Sequence, residues 1–204
     1  RSDWMFQAPD TGGIVYGLGA VKGVGQSAVE AIVEARNAEG AFQDIHDLCQ
    51  RIDLRRVNRR VLEALIRSGS LDAIAANRAS AMAELPAALQ AAEQKTRNTE
   101  RGQDDLFGIG VATDTADSTA ATAIIPEWQE SERLVAEKET LGLYLTGHPI
   151  DEHEQELAGF ISCRLNQAAT GFGVERTGGR PDEEKRVVRA GLWVDVRPRI
   201  TQSG

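Results

Sequence analysis

The stretch Leu18-Gly19-Ala20-Val21-Lys22-Gly23-Val24-Gly25, running on into Gln26-Ser27-Ala28-Val29-Glu30-Ala31-Ile32, decides how this chain is read. Two glycines flank one apolar residue, between a short helical run from Leu18 to Lys22 and a second run from Gln26 to Arg36. In the second run Ala28, Ile32 and Ala35, with Val29 and Val33 beside them, recur at the spacing of one helix face and predict a buried stripe. Glycine permits backbone conformations and close approach that a side chain prevents. Gly23-Val24-Gly25 therefore predicts a tight turn, with the next amides pointing outward from the head of a helix. With the helix dipole behind them, those amides suit a phosphate oxygen. Lys22, Gln26 and Ser27 stand where a side chain can assist, and Val24 is expected to plug the turn into the hydrophobic body.

Working outward, Trp4 to Phe6 and Ile14 to Tyr16 are short β-type runs around the turn Pro9-Asp10-Thr11-Gly12-Gly13, which predicts a hairpin or entry strands. Downstream, a helix is expected over Phe42 to Cys49, with Phe42, Ile45 and Leu48 as its stripe. Another is expected over Asn58 to Arg67, with Asn58 as N-cap and Val61, Leu62, Leu65 and Ile66 inward. Ser68-Gly69-Ser70-Leu71 reads as a second, degenerate hairpin that packs rather than binds. Arg78 to Lys95 is alanine-rich and helical in propensity, but Pro86 removes a backbone donor and is expected to kink or divide it. Residues 96–126 mix Thr, Asn, Asp, Ser and Ala with little periodicity and read as a linker. Helical pattern returns at Glu127 to Leu143, closed by His148-Pro149, with a short helix over Asp151 to Leu157. After a Gly-rich turn region from Gly171 to Glu184, Val187 to Val196 alternates toward strand.

The charge is unevenly placed. The whole 204-residue chain carries a formal charge of -8, but residues 1–95 hold 11 Lys and Arg against 12 Asp and Glu, while 96–204 hold 12 against 19. Only the first half suits a polyanion. Arg51, Arg55, Arg56, Arg59 and Arg60 put five guanidinium groups within ten residues, opposed locally only by Asp53, a density that can supply phosphate contacts. No aromatic stripe accompanies them, so base stacking is not indicated. No run approaches the length of a membrane span, and the start RSDWMFQ lacks the layout of a signal peptide, so neither membrane nor export is expected. Cys49 and Cys163 lie far apart and outside any CxxC pair, which fits a reducing cytoplasm better than a disulfide or zinc framework. The chain begins without Met and stops in TQSG, and it reads as a piece of a longer polypeptide.

Leu18 to Gly25, followed by Ala28, Ile32 and Arg36, resembles a helix-hairpin-helix motif. That resemblance implies a grip on the minor-groove side of duplex backbones without base reading, through Lys22, Gly23, Val24, Gly25, Gln26 and Ser27, with Arg55, Arg56, Arg59 and Arg60 as further phosphate contacts. Inside the polar linker, Gln103-Asp104-Asp105-Leu106-Phe107 places two large hydrophobes where exposure suggests a partner. The pentapeptide resembles the bacterial sliding-clamp-binding motif: Leu106 and Phe107 would fill an apolar pocket on the clamp and Gln103 would bond at its rim, with Asp104 and Asp105 between.

A helix-hairpin-helix followed by a clamp peptide resembles the alpha subunits of bacterial DNA polymerase III, the replicative family C polymerases. The resemblance also covers Asn58-Arg59-Arg60-Val61-Leu62, the run Glu139-Thr140-Leu141-Gly142-Leu143-Tyr144-Leu145-Thr146-Gly147-His148-Pro149, and Ala190-Gly191-Leu192. It implies a mainly α chain. Its parts would be the end of the fingers at 1–13, a tandem helix-hairpin-helix region at 14–95, a linker with the clamp peptide at 96–126, a helical connector at 127–185 and the opening strands of a truncated OB-fold at 186–204. The expected partners are duplex DNA, the sliding clamp and, through the parent, other replicase subunits. No carboxylate constellation for two-metal chemistry is found, so this piece is expected to hold no cofactor and no catalytic residue, while its parent polymerase uses magnesium.

Asp151, Glu152, Glu154 and Glu156 beside His148 and His153 read as a solvated acidic face rather than a metal site. Gly171-Phe172-Gly173 and Gly178-Gly179 read as surface turns. Two other functions compete: a helix-hairpin-helix piece of a DNA repair nuclease or glycosylase, and an interaction module in which the hairpin only packs.

Overall fold

Burial of three or four apolar residues on one side of each of three short helices is what organises the first half of the chain, and the computed structural model follows that logic. It describes residues 2–10, 12–100, 125–161, 188, 190 and 191. These divide into two units, residues 1–145 and 146–204. In the first, a 3-10 turn at Leu18–Ala20 leads to α1 (Gln26–Glu39), α2 (Ile45–Arg51), α3 (Arg59–Arg67), α4 (Arg78–Glu100) and α5 (Glu130–Leu141). In the second, a 3-10 turn at Asp151–His153 runs into α6 (Glu154–Leu157). The described part of the chain is therefore mainly helical, and no helix in it is long and apolar enough to cross a membrane.

One core joins α1 to α4. Ala28, Val29, Ala31 and Ile32 of α1 pack with Ile45, Leu48 and Cys49 of α2, with Val61, Leu62, Leu65 and Ile66 of α3, and with Ala81, Leu85, Ala88 and Ala92 of α4. Burial and the nearby Asp44 charge push the Cys49 thiol up to about 11, so it behaves as a small core hydrophobe. The starts of α2 and α3 are set by side chains, as Asp44 Oδ1 accepts from the Asp47 amide at 2.7 Å and Asn58 Oδ1 from the Val61 amide at 3.1 Å. The Asp44 cap starts α2 at Ile45, so Phe42 lies ahead of the helix, where the Arg51 guanidinium stacks on its ring at 4.6 Å.

Two other local expectations are corrected. Trp4 to Phe6 and Ile14 to Tyr16 form no strands: a single antiparallel bridge joins Gln7 and Val15, with N–H to O distances of 3.0 and 2.8 Å. The pairing goes no further because Leu18 and Gly19 donate to the carbonyls of Asp3 and Trp4 instead. Pro86 does not divide the alanine-rich helix, which runs unbroken through Glu100, so the helix also takes the first residues expected in the linker. Proline forfeits only the bond to the carbonyl four residues back. Leu85 and Ala88, on either side of it, are 1% and 0% exposed and hold both halves to the core.

Residues 125–127 are fastened to the start of α4. Asn77 Nδ2 donates to the Ile125 carbonyl at 2.8 Å, and the Glu127 carboxylate accepts from the amides of Arg78 at 3.0 Å and Ala79 at 3.1 Å. Burial works against the Glu127 charge, but the amides of Arg78, Trp128 and Ala79 outweigh it and hold the carboxyl below its usual range. Deeper in, Arg78 donates to the wholly buried Glu137 at 3.0 Å and to Asp72 at 2.9 to 3.1 Å. Glu137 uses its second oxygen to accept from the Leu145 amide at 2.7 Å.

Two outcomes follow. Arg78→Ala removes the guanidinium from the buried Glu137 carboxylate, and urea unfolding of this variant is expected to give a loss of about 3–5 kcal/mol, the usual cost of breaking a buried pair. The depressed Glu127 pKa contributes stability that is present above the ordinary value of 4.5 and is lost as pH falls through the folded value. The stability gap between the wild type and Glu127→Gln should therefore be full at neutral pH and close on acidification.

Candidate nucleic-acid interface

The hairpin forms as its sequence requires. Gly23 sits at φ +90, a conformation that a Cβ resists, and turns the chain between the 3-10 segment and α1. Val24 points inward and is 6% exposed, whereas Lys22, Gly23, Gly25, Gln26 and Ser27 are all exposed. Gly25 is the N-cap of α1 and brings no side chain to cap it. The first amide to find a backbone partner is that of Ala28, which donates to the Gly25 carbonyl at 3.1 Å. The Gln26 and Ser27 amides meet no acceptor among the described residues, which leaves the positive end of a 14-residue helix open to an anion.

The loop is held from behind. The Lys22 amide donates to the Thr140 carbonyl at 2.8 Å, and the Tyr16 hydroxyl donates to the Leu141 carbonyl at 3.3 Å. The last turn of α5 thus fixes the residue that begins the hairpin. Sequence reading placed Glu127 to Leu143 in a connector and missed this role. Such a backbone contact across 118 positions, from Lys22 to Thr140, leaves no periodic trace.

The arginine cluster separates into different environments. Arg51 is a structural strut: it bonds the carbonyls of Ala35 at 3.0 Å and Gly40 at 2.9 Å and pairs with Asp47 at 2.9 Å. Arg56 reaches α1, pairing with Glu30 at 3.2 Å and Glu34 at 2.8 Å, and Arg59 pairs with Glu63 at 2.7 Å. Asp53 is the one acid within the cluster itself, but carboxylates outside it reach three of the five guanidiniums: Glu39 and Asp47 at Arg51, Glu30 and Glu34 at Arg56, and Glu63 at Arg59. The Arg55 amide is held by Asp53 Oδ1 at 2.9 Å. Arg60 is exposed and meets no carboxylate among the described residues.

Arg60 lines a cleft of about 430 Å³ with Lys22, Glu63, Ala64, Arg67, Glu139 and Thr140. Arg67 was not singled out in the sequence, although Arg60, Glu63, Ala64 and Arg67 recur at i, i+3, i+4 and i+7 opposite the buried stripe of α3.

The second turn, Ser68 to Leu71, contrasts with the first. Gly69 has φ +77, but the Arg78 guanidinium and Asp72 carboxylate lie where its Cβ would stand, and the Ser68 hydroxyl donates to the Leu65 carbonyl at 2.9 Å. The amides of Ser68, Gly69 and Ser70 donate to the α3 carbonyls of Ala64, Ile66 and Leu65, unlike those of Gln26 and Ser27. Gln103 to Phe107 and most of Val187 to Val196 lie outside the described residues. His148 accepts from the Ile150 amide and donates its own amide to Asp151, a local turn. Among the described residues no group of three or more His, Cys, Asp or Glu gathers as a metal site would.

The family model for the helix-hairpin-helix motif matches residues 1–81. Vibrio cholerae DNA polymerase III subunit alpha is 46% identical over 98% of this chain, the Pseudomonas aeruginosa subunit 46% over all of it, and the Escherichia coli K12 subunit 42% over 98%. The chain is homologous to one segment of DNA polymerase III subunit alpha. It spans 16 to 18% of the length of these relatives. The resemblance read from the hairpin and from the Glu139 to Pro149 run is thereby confirmed at the level of the family.

Because Gly23 requires a positive φ and lies in open space, Gly23→Ala is expected to cost more than about 1 kcal/mol by thermal melting.

Proposed function

We propose that this chain is the duplex-gripping, clamp-tethering portion of a replicative DNA-directed DNA polymerase. The observation that carries the reading is the open head of α1, where exposed Gln26 and Ser27 amides follow a buried Val24 plug in a motif matched by the helix-hairpin-helix family. Backbone amides and a helix dipole attract phosphate without reading bases, which suits an enzyme that must hold any sequence. Lys22 and Arg60 add charge on the same side of the fold, and Arg55, Arg56 and Arg59 supply further contacts once duplex competes with their acids.

The clamp peptide Gln103 to Phe107 gives the second half of the role. Tethering a polymerase to a ring on DNA lengthens its residence through effective concentration and needs no new catalytic group. The nucleotidyl transfer and its magnesium ions belong to other parts of the parent. The homology to the alpha subunit supports this reading over a repair nuclease or glycosylase.

The deciding variant is Gly25→Asp. At φ -86 with open space around it, position 25 accepts a side chain, and aspartate is a better N-cap than glycine. The variant should melt no lower than the wild type, or gain a few tenths of a kcal/mol, yet lose at least about tenfold in duplex affinity because a carboxylate stands where phosphate would. Unchanged affinity in a folded Gly25→Asp chain would sink the hairpin reading, and magnesium-dependent cleavage of the duplex would revive the nuclease. For the tether, fluorescence titration with a purified bacterial sliding clamp should give binding that is lost when Gln103, Leu106 and Phe107 are all alanine. No binding at micromolar clamp would reduce the pentapeptide to linker.

A further inference from the structure

The cleft beside the hairpin is charged in a particular way. Three cations, Lys22, Arg60 and Arg67, and two carboxylates, Glu63 and Glu139, line it. Glu63 is drawn to Arg59, which lies outside that lining, and Glu139 pairs with Arg67 across the gap between α3 and α5. Lys22 and Arg60 meet no carboxylate among the described residues. Lys22 belongs to both features, since its backbone opens the hairpin and its side chain lines the cleft.

We propose that Lys22, Arg60 and Arg67 hold a second backbone phosphate in this cleft, and that Glu139 occupies Arg67 until that phosphate displaces it. The site rests on the duplex-binding reading above and extends it to a residue set that includes a competitor. A carboxylate and a phosphate present the same pair of acceptor oxygens to a guanidinium fork, so one replaces the other without rebuilding the site. The pair is weak enough to exchange: Arg67 and Glu139 side chains are 38% and 56% exposed, and water screens them. Phosphate brings the same charge to Arg67 and gains Lys22 and Arg60 as well. Glu139 would thereby lower affinity for stray anions that contact Arg67 alone and leave tight binding to a backbone that reaches all three cations.

The test uses the full 204-residue chain and a labelled duplex, with affinity measured across about 50 to 200 mM salt, where each phosphate contact contributes about 0.9 to the slope of log affinity against log salt. Glu139→Gln is expected to tighten binding about two- to fivefold, the worth of an exposed ion pair released. Arg60→Gln is expected to weaken binding and make the slope shallower by about one. Thermal melting confirms that both variants fold; Lys22→Gln, whose side chain is exposed, gives a second route to the same loss.

If Glu139→Gln and Arg60→Gln leave affinity and slope at wild-type values while Gly25→Asp abolishes binding, the hairpin acts alone and the cleft is refuted. If Glu139→Gln weakens binding, Glu139 supports the site instead of competing for it, and the exchange is refuted. If the unsubstituted chain does not bind duplex, the hairpin reading itself has failed and the cleft goes with it.

Discussion

The ion pair between Arg78 and Glu137 constrains everything else in the first unit. Glu137 is 0% exposed and the Arg78 side chain 4%, so neither charge has water to fall back on. Burial alone would lower the Arg78 pKa, yet the hydrogen bonds and charges of Asp72 and Glu137 carry it above its ordinary value. A buried pair of this kind contributes little net stability over an apolar substitute, because desolvation offsets the attraction. What it imposes is position. A packing of α5 that separates Glu137 from Arg78 takes the opposite charge away from a buried carboxylate, which costs far more than a misplaced methyl group.

That positional demand is transmitted to the hairpin. With Glu137 fixed, the next turn of α5 brings the Thr140 carbonyl to the Lys22 amide and the Leu141 carbonyl to the Tyr16 hydroxyl. The same turn sets Glu139 against Arg67. The open head of α1 is therefore braced on one side by Val24 in the core and on the other by the end of a helix more than a hundred residues later in the chain. An anion site built from backbone amides needs such bracing, because an amide that can turn away is solvated by water and holds nothing. Ile125 and Glu127, bonded to the start of α4, complete the clasp.

The features legible in the sequence were those that local chemistry decides. The face of α1, the Asn58 cap, the Val24 plug and the turn at Gly23 each depend on residues within a turn or two. The features that were missed depend on partners far along the chain. Arg78 and Glu137 are 59 positions apart, and both types are usually exposed, so nothing in their spacing marks them as core. Arg56 looked like a bare cation because Glu30 and Glu34 lie 26 and 22 positions away. Pro86 was over-read for a related reason: its local cost is real, but burial of Leu85, Ala88 and Ala92 against α2 outweighs one missing backbone bond. The β-type runs near the start failed in the opposite direction, because their residues favour strands and, among the described residues, no pairing extends beyond Gln7 and Val15.

Net charge is a poor guide to where an anion would sit on this chain. The total is -8, and even residues 1–95 carry one more acid than base. At physiological salt, however, exposed charges more than about 8 Å apart are largely screened, so a phosphate senses its immediate wall and not the sum. On that wall many of the acids are already engaged: Glu30 and Glu34 with Arg56, Glu63 with Arg59, Glu139 with Arg67. The Arg59–Glu63 and Arg67–Glu139 pairs are nearly neutral from outside, Arg56 leaves one of its two glutamate charges unbalanced, and the positive features that remain are the helix head with Lys22 and Arg60 beside it. An acidic chain can thus present a local positive field where its pairing is incomplete.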